Sequence, residues 1–385
     1  MTFPSPLAQP THSTPAPPPP APPRPELRVP ASTGGRIVLW LAAIVLGFIA
    51  LGLAAYFLTF LGPVAAVLAA ILALIPLTLV LLAIRIVDRW EPEPKGLVAL
   101  ALAWGAVGSV AIALGVDLMV GLVVPEVPET LSAVLQAPIV EELAKGAGVL
   151  LIFVAARRAF DGPVDGVVYG ALIGAGFAFT ENILYFADSL ITGGVESAAY
   201  TFFLRGVLSP FAHVMFTAVT GYALGRAARK GLRGGAGSGH WIVGVGGAIA
   251  LHALWNGSAV FADFFALYAM LQVPLFVLFV VAVVLLRREE ARLTRVRLGE
   301  YAAAGWFSAG EVDMLATRAG RARAVAWSHT LPGDRSAAMR RFIAEATSLA
   351  AARQRVVTGR DPDAAADERV YLERATRARA DVLAR

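Results

Sequence analysis

Eight side chains of the kinds used in hydrolysis and proton transfer lie in apolar stretches of this sequence. Glu141, Glu142 and Lys145 sit in Ala-Pro-Ile-Val-Glu-Glu-Leu-Ala-Lys, and Glu181 and Asn182 close Phe-Ala-Phe-Thr-Glu-Asn. His213 has Thr217 one turn on, and His252 has Asn256. Lys145 follows Glu141 by four residues and Glu142 by three, so on a helix either carboxylate is its neighbour. Lysine is scarce here, 3 against 30 arginines, which makes one in mid-stretch notable. Neighbouring carboxylates beside an ammonium exchange protons as a coupled set, and such a set supplies a general base. The competing reading of the same three residues is a buried ion-pair cluster that locks helix packing. His252 and Asn256, four apart, share one helical face.

The elements that must carry these groups follow from composition. The chain has 385 residues, of which 57% are hydrophobic and 16% charged, far more apolar surface than a soluble core of that size can bury. The apolar residues come in runs of about 20 to 28, each able to cross about 30 Å of hydrocarbon as a helix, the form that satisfies its own backbone in lipid. The spans expected are 36–60, 63–86, 97–124, 133–156, 166–191, 199–225, 241–261 and 264–286: an all-α polytopic membrane protein of about eight transmembrane helices. Four successive spans hold the eight polar residues. Taking carboxylates, an amine, imidazoles and amides out of water is a repeated cost, borne for proton transfer, ion passage or hydrolysis.

The connectors orient the bundle. Arg24, Arg28 and Arg36, then Arg85, Arg89 and Lys95, then Arg157 and Arg158, then Arg226, Arg229, Lys230 and Arg233 fall at alternate ends. The other ends carry Glu126, Glu129, Asp188, Glu196 and Asp263. Positive-inside bias then puts both termini in the cytoplasm, and a bacterial plasma membrane is the expected location. Residues 1–35, with Pro17 to Pro20, read as a disordered proline-rich tail, 36–286 as the helical membrane domain, and 287–385 as an Arg-rich cytoplasmic helical extension. That extension holds 19 arginines and 13 acidic residues, read as a solvated face in preference to a lipid-binding one. The absence of cysteine excludes thiol nucleophiles, disulfides and thiolate metal sites. The net charge of +5 comes with no nucleic-acid-binding motif, so no nucleic-acid partner is expected. Gly170, Gly174, Gly176, Gly221 and Gly225 read as sites of close helix packing.

In order and spacing, Glu141-Glu142-x-x-Lys145, Phe177-x-x-x-Glu181-Asn182, His213 with Thr217 and Gly221, and His252-x-x-x-Asn256 resemble the PrsW family of intramembrane proteases, relatives of the CAAX-processing and bacteriocin-immunity membrane proteases. The Asp88-Arg-Trp-Glu-Pro-Glu-Pro94 connector also resembles the family's sequence, and the likeness runs from about residue 85 to 260. It implies an intramembrane endopeptidase acting on membrane-anchored protein substrates such as anti-sigma-factor-like regulators, within the lipid bilayer. The tail and the extension lie outside it.

Two mechanisms fit the groups. Without metal, Glu141 or Glu142 activates water, His252 and Asn256 donate to the oxyanion, and His213 and Glu181 orient water or shuttle the proton. With metal, His213 and His252 together with Glu142 or Glu181 form a two-histidine, one-carboxylate set suited to zinc, leaving a second glutamate as base. No His-Glu-x-x-His pairing is present, which favours the metal-free version. A proton- or cation-coupled transporter or channel is the main rival, although neither related halves nor broken helices are evident. An inert membrane scaffold is the second, and it leaves the polar set unexplained.

Overall fold

The computed structural model describes residues 33–124, 127–261 and 263–384, which are helical apart from turns and connectors, with no strand among them. The tail expected over 1–35 lies outside the described residues as far as residue 32, as do Arg24, Arg28 and Glu126. The chain divides into two compact units, Ser32–Arg287 and one that includes Arg288–Arg385.

The first unit opens with α1 (Thr33–Phe60) and α2 (Pro63–Val87). Next come α3 (Lys95–Ala103) and α4 (Val110–Val123), joined through a wide π turn at Trp104–Ser109. A short α5 (Glu129–Leu131) leads through a second π turn into α6 (Ala137–Ala155), and α7 (Pro163–Phe202) and α8 (Ala212–Arg229) follow. The unit ends with α9 (Ser238–Phe261), α10 (Phe264–Leu267) and the start of α11 (Val273–Ala303). Among the described residues, six helical stretches are long and apolar enough to cross a membrane. Against the eight expected, Ala137–Ala155 carries three charged residues, and Pro163–Arg229 counts as one stretch of 67 residues.

That long stretch is interrupted twice. Gly194 takes φ 68°, a left-handed conformation that suits glycine, and the chain folds back there. Ser189 and Thr201 hydroxyls meet at 2.8 Å and the Phe186 and Phe202 rings at 5.6 Å, so the segment after Gly194 runs back along the one before it. A π turn at Phe203–Leu208 then gives way to Ser209, Pro210 and Phe211 before α8 begins. The single span expected over 199–225 is therefore a broken helix, and the break falls just before His213.

Backbone contact between α7 and α8 fixes where the polar groups meet. A Cβ on Gly166 would lie 2.0 Å from the Gly221 carbonyl oxygen, and one on Gly221 would lie 1.8 Å from that of Gly166. One turn pair further along, a Cβ on Gly174 would meet the His213 carbonyl oxygen at 2.4 Å. Only hydrogen fits at these crossings, so the two helices approach to backbone distance, as small-residue packing allows in lipid. On the other side of α7, Gly176 abuts the Leu102 carbonyl in the same way. Two indoles fix α6, Trp104 donating to the Ala144 carbonyl (3.0 Å) and Trp241 to that of Gly146 (2.8 Å).

The Asp88–Pro94 connector closes on itself. Both Asp88 oxygens accept from the Glu93 amide at 3.2 Å, and buried Glu93 accepts from the Tyr169 hydroxyl. Burial pushes the Asp88 carboxyl up to about 6, against the Glu93 amide and the Arg287 charge. Burial also pushes Glu93 well above the usual range, with the Tyr169 hydrogen bond opposing and the Asp88 and Glu91 charges adding to it.

The second unit packs the end of α11 with α12 (Ala309–Leu315), α13 (Arg318–His329), α14 (Ser336–Thr358) and α15 (Ala364–Leu383) around Leu298, Leu315, Phe342 and Leu349. A capping box starts α12: Ser308 accepts from the Glu311 amide and Glu311 from the Ser308 amide. Not all of its basic residues form a solvated face. Arg355 and Arg360 are buried, and Arg355 lies 3.7 Å from Asp367 and 3.8 Å from Asp361.

Candidate active site

Helix α6 has few ways to bury Glu141, Glu142 and Lys145 except together, and all three turn away from its exposed Ile139 and Leu143. Lys145 Nζ donates to Glu142 Oε1 at 2.7 Å, to Glu141 Oε2 at 3.2 Å and to His213 Nδ1 at 3.1 Å. The Phe177 ring covers the ammonium at 3.8 Å, which explains the aromatic at that position as a cation–π lid.

The two neighbouring glutamates have different surroundings. Glu142 has no exposed side-chain surface, and its oxygens are taken by Lys145, by the Thr217 hydroxyl at 3.0 Å and by His252 Nδ1 at 3.1 Å. Glu141 keeps 12% of its side chain exposed, and among the described residues Lys145 is its only hydrogen-bond partner. Glu142 is committed to structure, whereas Glu141 retains lone pairs for another group.

Each histidine rests on a carboxylate. His252 donates from Nδ1 to Glu142, which leaves the Nε2 lone pair of the neutral ring free to accept. His213 accepts from Lys145 at Nδ1 and donates from Nε2 to Glu181 Oε2 at 2.8 Å. The two rings lie edge to face with centroids 4.9 Å apart, and Phe216 stacks on His252. Asn256 uses one N–H on the Ala133 carbonyl at 2.8 Å and keeps the other.

A cavity of about 520 Å³ lies in front of this cluster, lined among others by Glu181, Asn182, His213, His252 and Asn256. All eight residues singled out in the sequence thus meet in one region, five of them on the cavity wall and the α6 trio behind or at its edge. Tyr185 and Arg205 also line it. Arg205 was missed by sequence reasoning, although it is the sole Lys or Arg between Arg158 and Arg226 and the cost of charge in lipid flags it as it flags Lys145. Its guanidinium donates to Glu181 Oε2 and to Asn182 Oδ1 and lies over the Tyr185 ring.

Among the described residues, the side chains able to hold a metal ion together are Glu141, His213 and His252, whose ligand atoms lie within 4.8 Å of one another. The carboxylate grouped with the two histidines here is Glu141, where the sequence suggested Glu142 or Glu181. Glu142 is enclosed by its partners and Glu181 is held on the far nitrogen of His213. Two imidazoles and one carboxylate, with Glu142 behind His252, are a chemically suitable donor set for a divalent cation. The Lys145 ammonium now bridges two of these three residues.

A family model described as PrsW family intramembrane metalloprotease matches residues 93–286, just over half of the chain. The chain is similar to Protease PrsW of Geobacillus kaustophilus (strain HTA426), 39% identical over 95 residues, 25% of this chain and 38% of that protein. It is similar to Protease PrsW of Oceanobacillus iheyensis, 38% identical over 97 residues, 25% of this chain and 41% of that protein. A third, Protease PrsW of Bacillus subtilis (strain 168), is 42% identical over 79 residues, 20% of this chain and 33% of that protein. The chain thus spans about two fifths or less of the length of the curated relatives it matches. No solved structure matches it.

Proposed function

The chain belongs to the PrsW family of intramembrane metalloproteases, and from that premise we propose that it is an intramembrane endopeptidase that hydrolyses membrane-anchored proteins. The observation that carries this reading is the convergence of Glu141, His213 and His252 at the edge of a cavity, with a carboxylate behind each histidine. The broken helix before His213 is a feature that transporters share, but the two-histidine, one-carboxylate set is what metal-assisted hydrolysis requires. A scaffold would leave the cavity and its buried charges without purpose.

Lys145 engages only Oε2 of Glu141, so this carboxylate has one oxygen to offer a metal and a second to take the proton of the attacking water. Glu142 fixes the His252 ring and neutralises Lys145. Glu181 fixes the His213 ring from the cavity side. The remaining N–H of Asn256 supports the oxygen of the scissile carbonyl as it gains charge. As the C–N bond breaks, Glu141 returns the proton to the leaving nitrogen. His252 presents a lone pair, which makes it an acceptor rather than the oxyanion donor of the metal-free scheme. That scheme is further disfavoured by the family's description as metalloproteases. Glu141, His213 and His252 would hold the metal, and we propose zinc. When bound it supplies Lewis-acid polarisation of the carbonyl and of water.

The same reading has eight membrane crossings, counting α6 and splitting Pro163–Arg229, with both termini in the cytoplasm of a bacterial plasma membrane. The membrane domain covers 36–286 and the Arg-rich extension 287–385. Anti-sigma-factor-like regulators are the substrate class that the sequence resemblance suggests.

The test is cleavage of tagged single-span candidate substrates in membranes, comparing wild type with Glu141→Gln, His213→Ala and His252→Ala at equal abundance, with and without chelator. Loss of cleavage in all three variants supports the reading. Continued cleavage by all three abandons the site assignment.

A further inference from the structure

We propose that Arg205 is a positioning residue of this site: it holds the Glu181 carboxylate, and through it the His213 ring, in register for hydrolysis. The kinetic part of the claim rests on the protease reading above, whereas the structural part does not.

Arg205 reaches across the fold-back at Gly194 to three side chains on one face of α7. Its Nη2 donates to Glu181 Oε2, its Nε donates to Asn182 Oδ1 at 2.8 Å, and its guanidinium plane lies 4.0 Å over the Tyr185 ring. This uses the features that distinguish arginine from lysine: a planar fork of donors and a face that stacks. The oxygen that accepts from Arg205 is also the one that accepts from His213 Nε2 at 2.8 Å. Two donors converging on one oxygen stop the carboxylate from rotating, so the imidazole has one orientation to follow.

Charge balance points the same way. The site holds three carboxylates, Glu141, Glu142 and Glu181, and Lys145 can serve only the α6 pair at hydrogen-bond distance. Arg205 supplies the cation for the third. Without Arg205, Glu181 Oε2 loses one of its two donors and the carboxylate is free to turn. That rotation would release His213 Nε2.

The backbone that delivers Arg205 is itself unusual. The residue lies in the π turn Phe203–Leu208, one wide turn ahead of the break at Ser209–Phe211 that leads into α8 and His213. A π turn shifts the side-chain register of a helix by inserting a residue, a device often found at functional sites. With its Nε and an Nη committed to α7 and its face on Tyr185, Arg205 acts through Glu181.

The test compares wild type, Arg205→Gln, Arg205→Lys, Glu181→Gln and the Arg205→Gln/Glu181→Gln double variant, purified in micelles, on a fluorogenic single-span peptide. A positioning role lowers kcat by about tenfold or more while KM stays within about threefold. Lysine fails to restore it, and the double variant is no worse than Glu181→Gln alone. Wild-type kcat in Arg205→Lys, additive losses in the double variant, or an effect confined to KM would overturn the proposal. The second arm is ¹⁵N-histidine NMR: wild-type His213 is expected as the single Nε2–H tautomer, and Arg205→Gln loses that signature. If the signature survives, Arg205 does not position the ring. Should wild type cleave nothing, the protease reading fails by itself and the NMR arm still decides the role of Arg205.

Discussion

His252 Nδ1 lies 3.1 Å from Glu142 Oε1, on a carboxylate that has no exposed side-chain surface. That single contact sets the ring's tautomer, turns its other nitrogen outward, and separates the roles of two glutamates adjacent in sequence.

Glu142→Gln and Glu141→Gln should therefore fail differently. Removing the Glu142 charge leaves Lys145 short of its nearest partner in the interior, a change that costs about 3–5 kcal/mol for buried pairs. The expected result is a clear drop in thermal unfolding temperature in micelles for Glu142→Gln, with near wild-type stability but lost cleavage for Glu141→Gln. Equal stability of the two variants would contradict the division of labour drawn here.

Metal content offers a check that needs no substrate. Elemental analysis of the purified protein should find about one divalent ion per chain, removable by chelator together with activity. His213→Ala, His252→Ala and Glu141→Gln should each reduce it, whereas Asn256→Ala should not. Full retention in the histidine variants would rule out these residues as ligands.

Helix approach can be tested at Gly221. Alanine there brings a Cβ to 1.8 Å from the Gly166 carbonyl oxygen, so α7 and α8 must separate. A shift of the order of 1 Å at the reacting groups costs about 100-fold in rate. Gly52→Ala, where the added carbon meets nothing within 4 Å, serves as the control and should be silent. An active, stable Gly221→Ala variant would show that the crossing is not what positions His213.

The Asp88 connector predicts a pH dependence of stability. A carboxyl raised from 3.8 to about 6 binds more protons in the folded than in the unfolded chain across that window. Stability is accordingly greatest at the acid end and falls as pH rises through it, and Glu93 contributes with the same sign above 4.5. Asp88→Asn should flatten thermal stability measured from pH 4 to 7 relative to wild type. An unchanged slope would mean that Asp88 is not the group responsible.

Much of the fold was legible because lipid leaves the backbone few options: apolar runs of crossing length become helices, and glycines at helix spacing become close crossings. The Lys145 pairings with Glu141 and Glu142 were likewise written in their i+4 and i+3 spacing. Arg205 was not, because its partners Glu181 and Asn182 are more than twenty residues away, and only the fold-back at Gly194 brings them within reach.

The sequence by itself determined the solvent, the helical class, the set of eight polar residues and the family resemblance, since these depend on residue type and local spacing. Tertiary structure alone decided which glutamate keeps its lone pairs, which carboxylate lies beside the two histidines, and where the sixth apolar run breaks. Those outcomes depend on contacts between α6, α7, α8 and α9, and residues far apart in the chain compete for the same few donors and acceptors only after the helices have packed.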